Sequence, residues 1–165
     1  MAQYTFNVLD NSITLYLQYY INVRNCEQLK LNTERFECAF IDPSGLISIT
    51  QLLQATNRAL FNEYLNRSKT GSIYSDTLYF LSPSSDISEA LCHYSISSTT
   101  SHLLIATFNI ESLETIKSAV EGELTPISTL SSSLNLQKVQ KLFSLSPGTS
   151  SIPNTIYSLL AIKDY

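Results

Sequence analysis

The residues of this chain best suited to binding chemistry gather in one stretch. Arg58, Arg67 and Lys69 fall close together, Ser68 and Thr70 add hydroxyls, and no further Lys or Arg occurs until Lys117. Cations interleaved with neutral donors suit phosphate oxygens, and such a loop holds a few nucleotides of single strand when aromatic rings stand near for stacking. Tyr64 and Tyr74 flank it. A purely local reading competes: if residues 48–65 form a helix, Arg67 and Lys69 sit at its C-terminal end, where cations offset the partial negative charge of the last carbonyls.

Other chemistries lack their residues. The four glycines stand alone at 45, 71, 122 and 148, so no phosphate-cradling glycine-rich loop is present. His93 and His102 are the only imidazoles, and the adjacent pair Cys92-His93 diverges on a helix instead of converging on a metal. No strained Gly-x-Ser-x-Gly turn presents a nucleophile. Cys26, Cys38 and Cys92 form no Cys-x-x-Cys pair and read as small buried hydrophobes of a reducing compartment, with Cys92 on the inner face of its helix. Neither catalysis, a metal nor a cofactor is expected.

The totals narrow the class. A 165-residue chain with 44% hydrophobic residues is expected to fold as a single domain, 1–165. Its net charge of −4 supplies no global attraction for nucleic acid, so any RNA contact must be local. Only 15% of residues are charged, which favours a surface that resides in a complex. No basic region followed by an apolar one opens the chain, and the uncharged stretch 90–110 carries two histidines and a Ser/Thr cluster. A soluble intracellular protein is expected, in which the sequon Asn66-Arg67-Ser68 carries no meaning.

Periodicity outlines the elements that must position these residues. Ile13, Leu15, Leu17 and Tyr19 alternate in a half-buried strand over Ser12–Tyr19. A short helix follows over Asn22–Leu31, then an apolar strand over Phe36–Ile41 closed by Asp42-Pro43. Ser48, with Gln51 three residues on, caps a long helix over Ser48–Leu65. Ile73–Leu81 reads as a strand ended by Pro83, and Asp86 with Glu89 caps a helix over Ile87–Tyr94. His102–Phe108 is a strand buried on both faces, and Glu111–Val120 a helix. Ser131–Ser133 reads as a loop. Helices follow over Leu136–Leu145, broken by Pro147-Gly148, and over Ile152–Ile162. The order implies an α+β fold, with one mostly antiparallel or mixed sheet and helices packed against it.

Four segments, taken in order, resemble the small KEOPS/EKC subunit family, the TPRKB-like PRPK-binding proteins. Leu81–Leu91 (Leu-Ser-Pro-Ser-Ser-Asp-Ile-Ser-Glu-Ala-Leu) resembles its Leu-Ser-Pro…Ile-Ser-Glu-Ala-Leu signature. Ala39-Phe40-Ile41-Asp42-Pro43 resembles its apolar strand end, Ala55-Thr56-Asn57-Arg58-Ala59 its Ala-x-Asn-Lys-Ala helix, and residues 138–146 its Val-x-Lys…Leu-Ser segment. The resemblance spans roughly residues 12–163.

It implies a non-catalytic subunit that docks on the complex's small kinase-like ATPase and binds the 3′ single-stranded end of tRNA. Another subunit would then perform threonylcarbamoylation of the adenosine beside the anticodon. Asn57, Arg58, Arg67, Lys69 and Thr70 occupy the family's Asn-Lys-Ala and Lys-x-Lys-Thr positions, so the resemblance assigns them to tRNA. Gly71 stands where family members often carry arginine, which removes one phosphate contact and flattens the salt dependence. The kinase is expected on the two C-terminal helices, through Leu142, Ile152, Ile156 and Leu160. No membrane, small-molecule substrate or cofactor is implied, and the location is nucleus and cytoplasm. The alternative is a subunit that regulates the kinase without binding RNA.

Overall fold

The structure is a computed structural model that describes residues 1–8, 11–146 and 151–163. In chain order its strands and α-helices are β1 (Ala2–Val8), β2 (Asn11–Ile21), α1 (Cys26–Leu31), β3 (Ala39–Ile41), α2 (Ile49–Tyr64), α3 (Ile73–Leu81), α4 (Ile87–Tyr94), β4 (Leu103–Thr107), α5 (Ile110–Ala119), β5 (Glu123–Thr125), α6 (Leu136–Leu142) and α7 (Ile152–Ile162). They form two compact units, one of residues 1–43 with 95–132 and one of residues 44–94 with 133–163.

The first unit holds an open antiparallel sheet in the order β1-β2-β4-β3, with β5 joined to β2 beyond the end of β1. The fold is α+β, as the mixture of periods implied. β4 is buried at all five positions, Thr107 included, as its near-continuous apolar run implied. On one face of the sheet Tyr20, Phe40, Leu103 and Ile105 pack with Cys26 and Leu29 of α1 and Ile116 of α5. Gln18 shares that face with Tyr20 and is buried too, its side-chain oxygen accepting from the Tyr20 hydroxyl at 2.7 Å. The expected polar face of β2 is therefore covered over its second half.

The second unit is helical. Ser48 caps α2, its hydroxyl accepting from the Gln51 backbone N–H at 3.2 Å. Gln51 returns its side-chain oxygen to the Ile47 N–H at 3.0 Å, and its amide donates to the Tyr94 hydroxyl at 3.0 Å. That hydroxyl donates on to the Gly45 carbonyl. Gly45 is needed for the close approach, because a Cβ there would stand 3.3 Å from the Tyr94 ring. A fully buried Gln51 thus links the entry of α2 to α4. Val139 and Phe143 from the α6 segment pack on Ile156 and Leu160 of α7 in a separate apolar cluster.

Several expectations are corrected. Ile73–Leu81 is helix, not strand: a short apolar run has no period that separates the two, and this helix is buried from Asp76 through Leu81. Pro83 acts instead on Ser82, which it holds extended (φ −91°, ψ 146°), so α3 stops there. Asp86 does cap α4, accepting from the Glu89 N–H at 2.8 Å, but the Glu89 carboxylate turns to the Ser84 hydroxyl. Ser131–Ser133 ends a 3-10 helix that begins at Ile127. Cys92 is exposed, because Ala90 and Tyr94 define the inner face of α4 and Cys92 lies opposite both. Cys26 and Cys38 are buried as expected, and burial pushes the Cys38 thiol up to about 12. The expected break at Pro147-Gly148 lies outside the described residues.

Candidate nucleic-acid interface

The basic stretch begins where α2 ends, and the ending sets its direction. Asn66 adopts the left-handed conformation (φ +54°), the Arg67 N–H reaches back to the Asn62 carbonyl at 2.7 Å, and the Asn66 N–H reaches Glu63 at 2.9 Å. These two bonds make a Schellman turn with asparagine in place of glycine. The last carbonyls of α2 are satisfied by backbone, and Arg67 projects from the turn with an exposed side chain.

Asp76 fixes the loop that follows. Its carboxylate, fully buried in α3, accepts from the N–H groups of Lys69 (3.1 Å) and Thr70 (2.8 Å) and from the Thr70 hydroxyl (2.7 Å). The Ser68 hydroxyl accepts from the N–H of Gly71, which takes φ +80°. The loop's amides therefore cradle an anion, and the anion is the protein's own. Thr70, expected as a neutral phosphate donor, directs its one hydroxyl proton inside the loop. The Lys69 side chain remains exposed.

A cleft of about 430 Å³ opens beside α2 and against α7. Gln54, Asn57, Arg58, Phe61 and Asn62 line it from α2, Arg67 joins them past the helix end, and Tyr157, Leu160 and Ala161 come from α7. Phe61 is half exposed. An accessible aromatic ring among three amides, with a cation at the rim, suits a flat ligand with polar edges and an attached anion. A nucleotide has that form: the ring face stacks on Phe61, the amides meet the base edge, and Arg67 meets the phosphate.

Of the five residues assigned to tRNA, Asn57, Arg58 and Arg67 share the cleft, whereas Lys69 and Thr70 stand on the loop outside its lining. Arg58 is committed within the chain. Its guanidinium donates to the Leu160 carbonyl at 2.7 Å and to that of Lys163, and lies 5.0 Å from the centre of the Phe80 ring. Phe61 is the aromatic ring that α2 gives to the cleft, and Tyr64 and Tyr74 do not line it. The signal that could have found Phe61 is Gln54, Asn57 or Arg58, Phe61 and Leu65 recurring every three to four residues, a stripe of polar and aromatic side chains beside the core face.

The residues expected to dock a kinase belong to the same unit, and one of them, Leu160, also lines the cleft. Ile156 and Leu160 are buried in the cluster that joins α6 to α7, and Leu142 and Ile152 pack half-buried against it. A short helix turns its apolar stripe to the core, so choosing apolar positions chose the inner face. Leu136 and Ile162 are the exposed large hydrophobics of α6 and α7. Among the described residues no three His, Cys, Asp or Glu side chains gather as metal ligands, and no helix is long and apolar enough to cross a membrane.

Several proteins are similar to this sequence. It is 32% identical over 118 residues to the EKC/KEOPS complex subunit CGI121 of Kluyveromyces lactis, covering 70% of this chain and 75% of that protein. It is 30% identical over 154 residues to the EKC/KEOPS complex subunit TPRKB of Danio rerio, covering 87% of each. The Schizosaccharomyces pombe subunit cgi121 is 27% identical over 158 residues, 88% of this chain and 91% of the other. The model of the family described as kinase binding protein CGI-121 matches residues 20–164, and the chain belongs to that family.

Proposed function

We propose that this protein is a non-catalytic subunit of a KEOPS/EKC complex, in nucleus and cytoplasm, that binds the complex's kinase-like ATPase and recruits tRNA by its 3′ end. Threonylcarbamoylation of the adenosine next to the anticodon would then fall to another subunit. Family membership supports the kinase partner, and the relatives' names support the complex. The observation that carries the RNA role is the cleft, where Phe61, Asn57 and Asn62 face a space that Arg67 borders. A single-stranded end is the form of RNA whose bases are free to enter such a space.

Whole tRNA and tRNA trimmed of its 3′ end, titrated across a salt series, test this reading. Trimming is expected to abolish binding, and Phe61→Ala to weaken it about tenfold through lost stacking. With Arg67 and Lys69 as the phosphate contacts, the slope of log affinity on log salt is expected near about −1.4. Equal binding of both RNAs overturns the 3′-end role. For the kinase, the exposed edge of α6 and α7 is the docking surface, over the packing of Leu142, Ile152, Ile156 and Leu160. Leu136→Glu with Ile162→Glu is expected to abolish co-purification with the kinase while leaving the fold intact.

A second reading keeps the kinase and drops the RNA. It is favoured by the donors that Arg58 and Thr70 spend inside the chain, which leave few cations for phosphate. Kinase binding without measurable affinity for either RNA would establish it.

A further inference from the structure

Arg58 lines the cleft, yet its hydrogen bonds run to the last turn of α7, to the carbonyls of Leu160 and Lys163. Lys163 is itself 6% exposed, and its ammonium donates to the carbonyls of Tyr79 at 2.5 Å and Ser82 at 2.9 Å, 3.4 Å from the centre of the Tyr79 ring. Those carbonyls mark the end of α3. Two cations therefore cap two helix ends in series: Arg58 of α2 holds α7, and the residue after α7 holds α3.

The arrangement answers a defined need. Lys163 leaves α7 extended, with φ −59° and ψ 132°, and among the described residues the carbonyls of Leu160 and Lys163 are met by the Arg58 side chain. A guanidinium presents two N–H groups in a fixed fork and can serve two carbonyls at once, which an ammonium does less well. Leu160 and Ala161, in the turn so held, form one wall of the cleft, and Phe80 under Arg58 lines it as well.

We infer that Arg58 and Lys163 are positioning residues, a paired latch that fixes the last turn of α7 as a wall of the cleft and acts on the ligand through that wall. The inference takes from the RNA reading only the identity of the ligand. The latch itself is a property of the two helix ends.

Two measurements on the full chain test it together: amide hydrogen exchange along α7, and tRNA affinity across a salt series. Arg58→Gln, Arg58→Lys and Lys163→Met are compared with Arg67→Ala. Loss of a charge-assisted cap is expected to raise exchange in the last turn of α7 by about tenfold or more. The same three variants are expected to lower tRNA affinity several-fold with the salt slope unchanged, although Lys163 does not line the cleft. Arg67→Ala is expected to flatten the slope by about 0.7, the loss of one single-strand phosphate contact.

A flattened slope in Arg58→Gln overturns the positioning role, because Arg58 then contacts phosphate. Unchanged exchange in Arg58→Lys and Lys163→Met overturns the latch, and these two also decide if Arg58→Gln fails to fold. Absence of RNA binding by the unaltered chain would sink the RNA reading instead, and exchange alone would still judge the latch.

Discussion

The ends of α2 and α7 meet an arginine in opposite ways. At the end of α2 the backbone satisfies its own carbonyls through Asn66, and Arg67 is left exposed. At the end of α7 Lys163 is extended, and Arg58 is drawn in to donate to the carbonyls of Leu160 and Lys163. Both arginines line one cleft. Their side chains are chemically the same; what differs is whether the nearest helix end has already been paired. A cation beside a ligand site is available to a ligand only after the protein's own orphan carbonyls have been served.

The largest expected effect comes from the carboxylate that organises the exposed side of this comparison. Asp76→Ala removes the acceptor for Lys69 N–H, Thr70 N–H and the Thr70 hydroxyl from a fully buried position. We expect a loss on the order of 3 kcal/mol in urea unfolding, because hydrogen bonds to a buried charge are among the stronger ones. If the loss is below about 1 kcal/mol, water takes the place of the carboxylate and the loop is not held as described. The second effect is smaller and more local. Asn66→Ala puts a Cβ without a local hydrogen-bonding group at φ +54° and is expected to cost about 1 kcal/mol, whereas Asn66→Gly stays close to neutral. If α2 then ends in another geometry, Arg67 leaves the cleft and RNA affinity falls with the Ala variant and not with Gly.

The sequence disclosed parts of this and concealed others for identifiable reasons. The entry of α2 was readable because Ser48 and Gln51 form a local motif, and β4 because a short run of four apolar residues, at 103–106, has the length of a covered strand. α3 was misread because its apolar run carries no period; the same Asp76 and Thr77 that argue against a buried strand are both paired locally, Asp76 to the preceding loop and Thr77 to Ile73 of the helix. β1 went unread, although it pairs with β2 along its whole length. That Asn57 and Arg67 lie near each other was legible because they belong to one helix and its exit. The wall formed by Tyr157, Leu160 and Ala161 was not, since it lies about a hundred residues away in the chain, and tertiary packing alone brings it to α2. The hydrogen bonds of Arg58 were hidden for the same reason, because its partners are carbonyls of that distant helix end.

The smallest expected effect reads out the latch electrostatically. His93 of α4 shares a hydrogen bond with the buried Ser82 hydroxyl at 2.7 Å, and its Nε2 lies 3.9 Å from the Glu89 carboxylate. Burial lowers its pKa below the ordinary 6.5; Glu89 opposes this, and Lys138 and Lys163 add to the lowering. In the unfolded chain the same imidazole keeps its ordinary affinity for protons. Above pH 6.5 the group is neutral in both states and contributes no pH dependence. As pH falls from 6.5 toward the lower folded value, the unfolded state binds the proton first, so stability declines through that window and levels off below it. His93→Gln is expected to flatten this part of the stability–pH curve. Lys163→Met, by removing one of the two cations that lower the value, is expected to move the imidazole's titration upward as followed by NMR. A titration unmoved by Lys163→Met would place the ammonium too far from His93, and the buried cation at the end of α7 would then hold α3 without reaching α4.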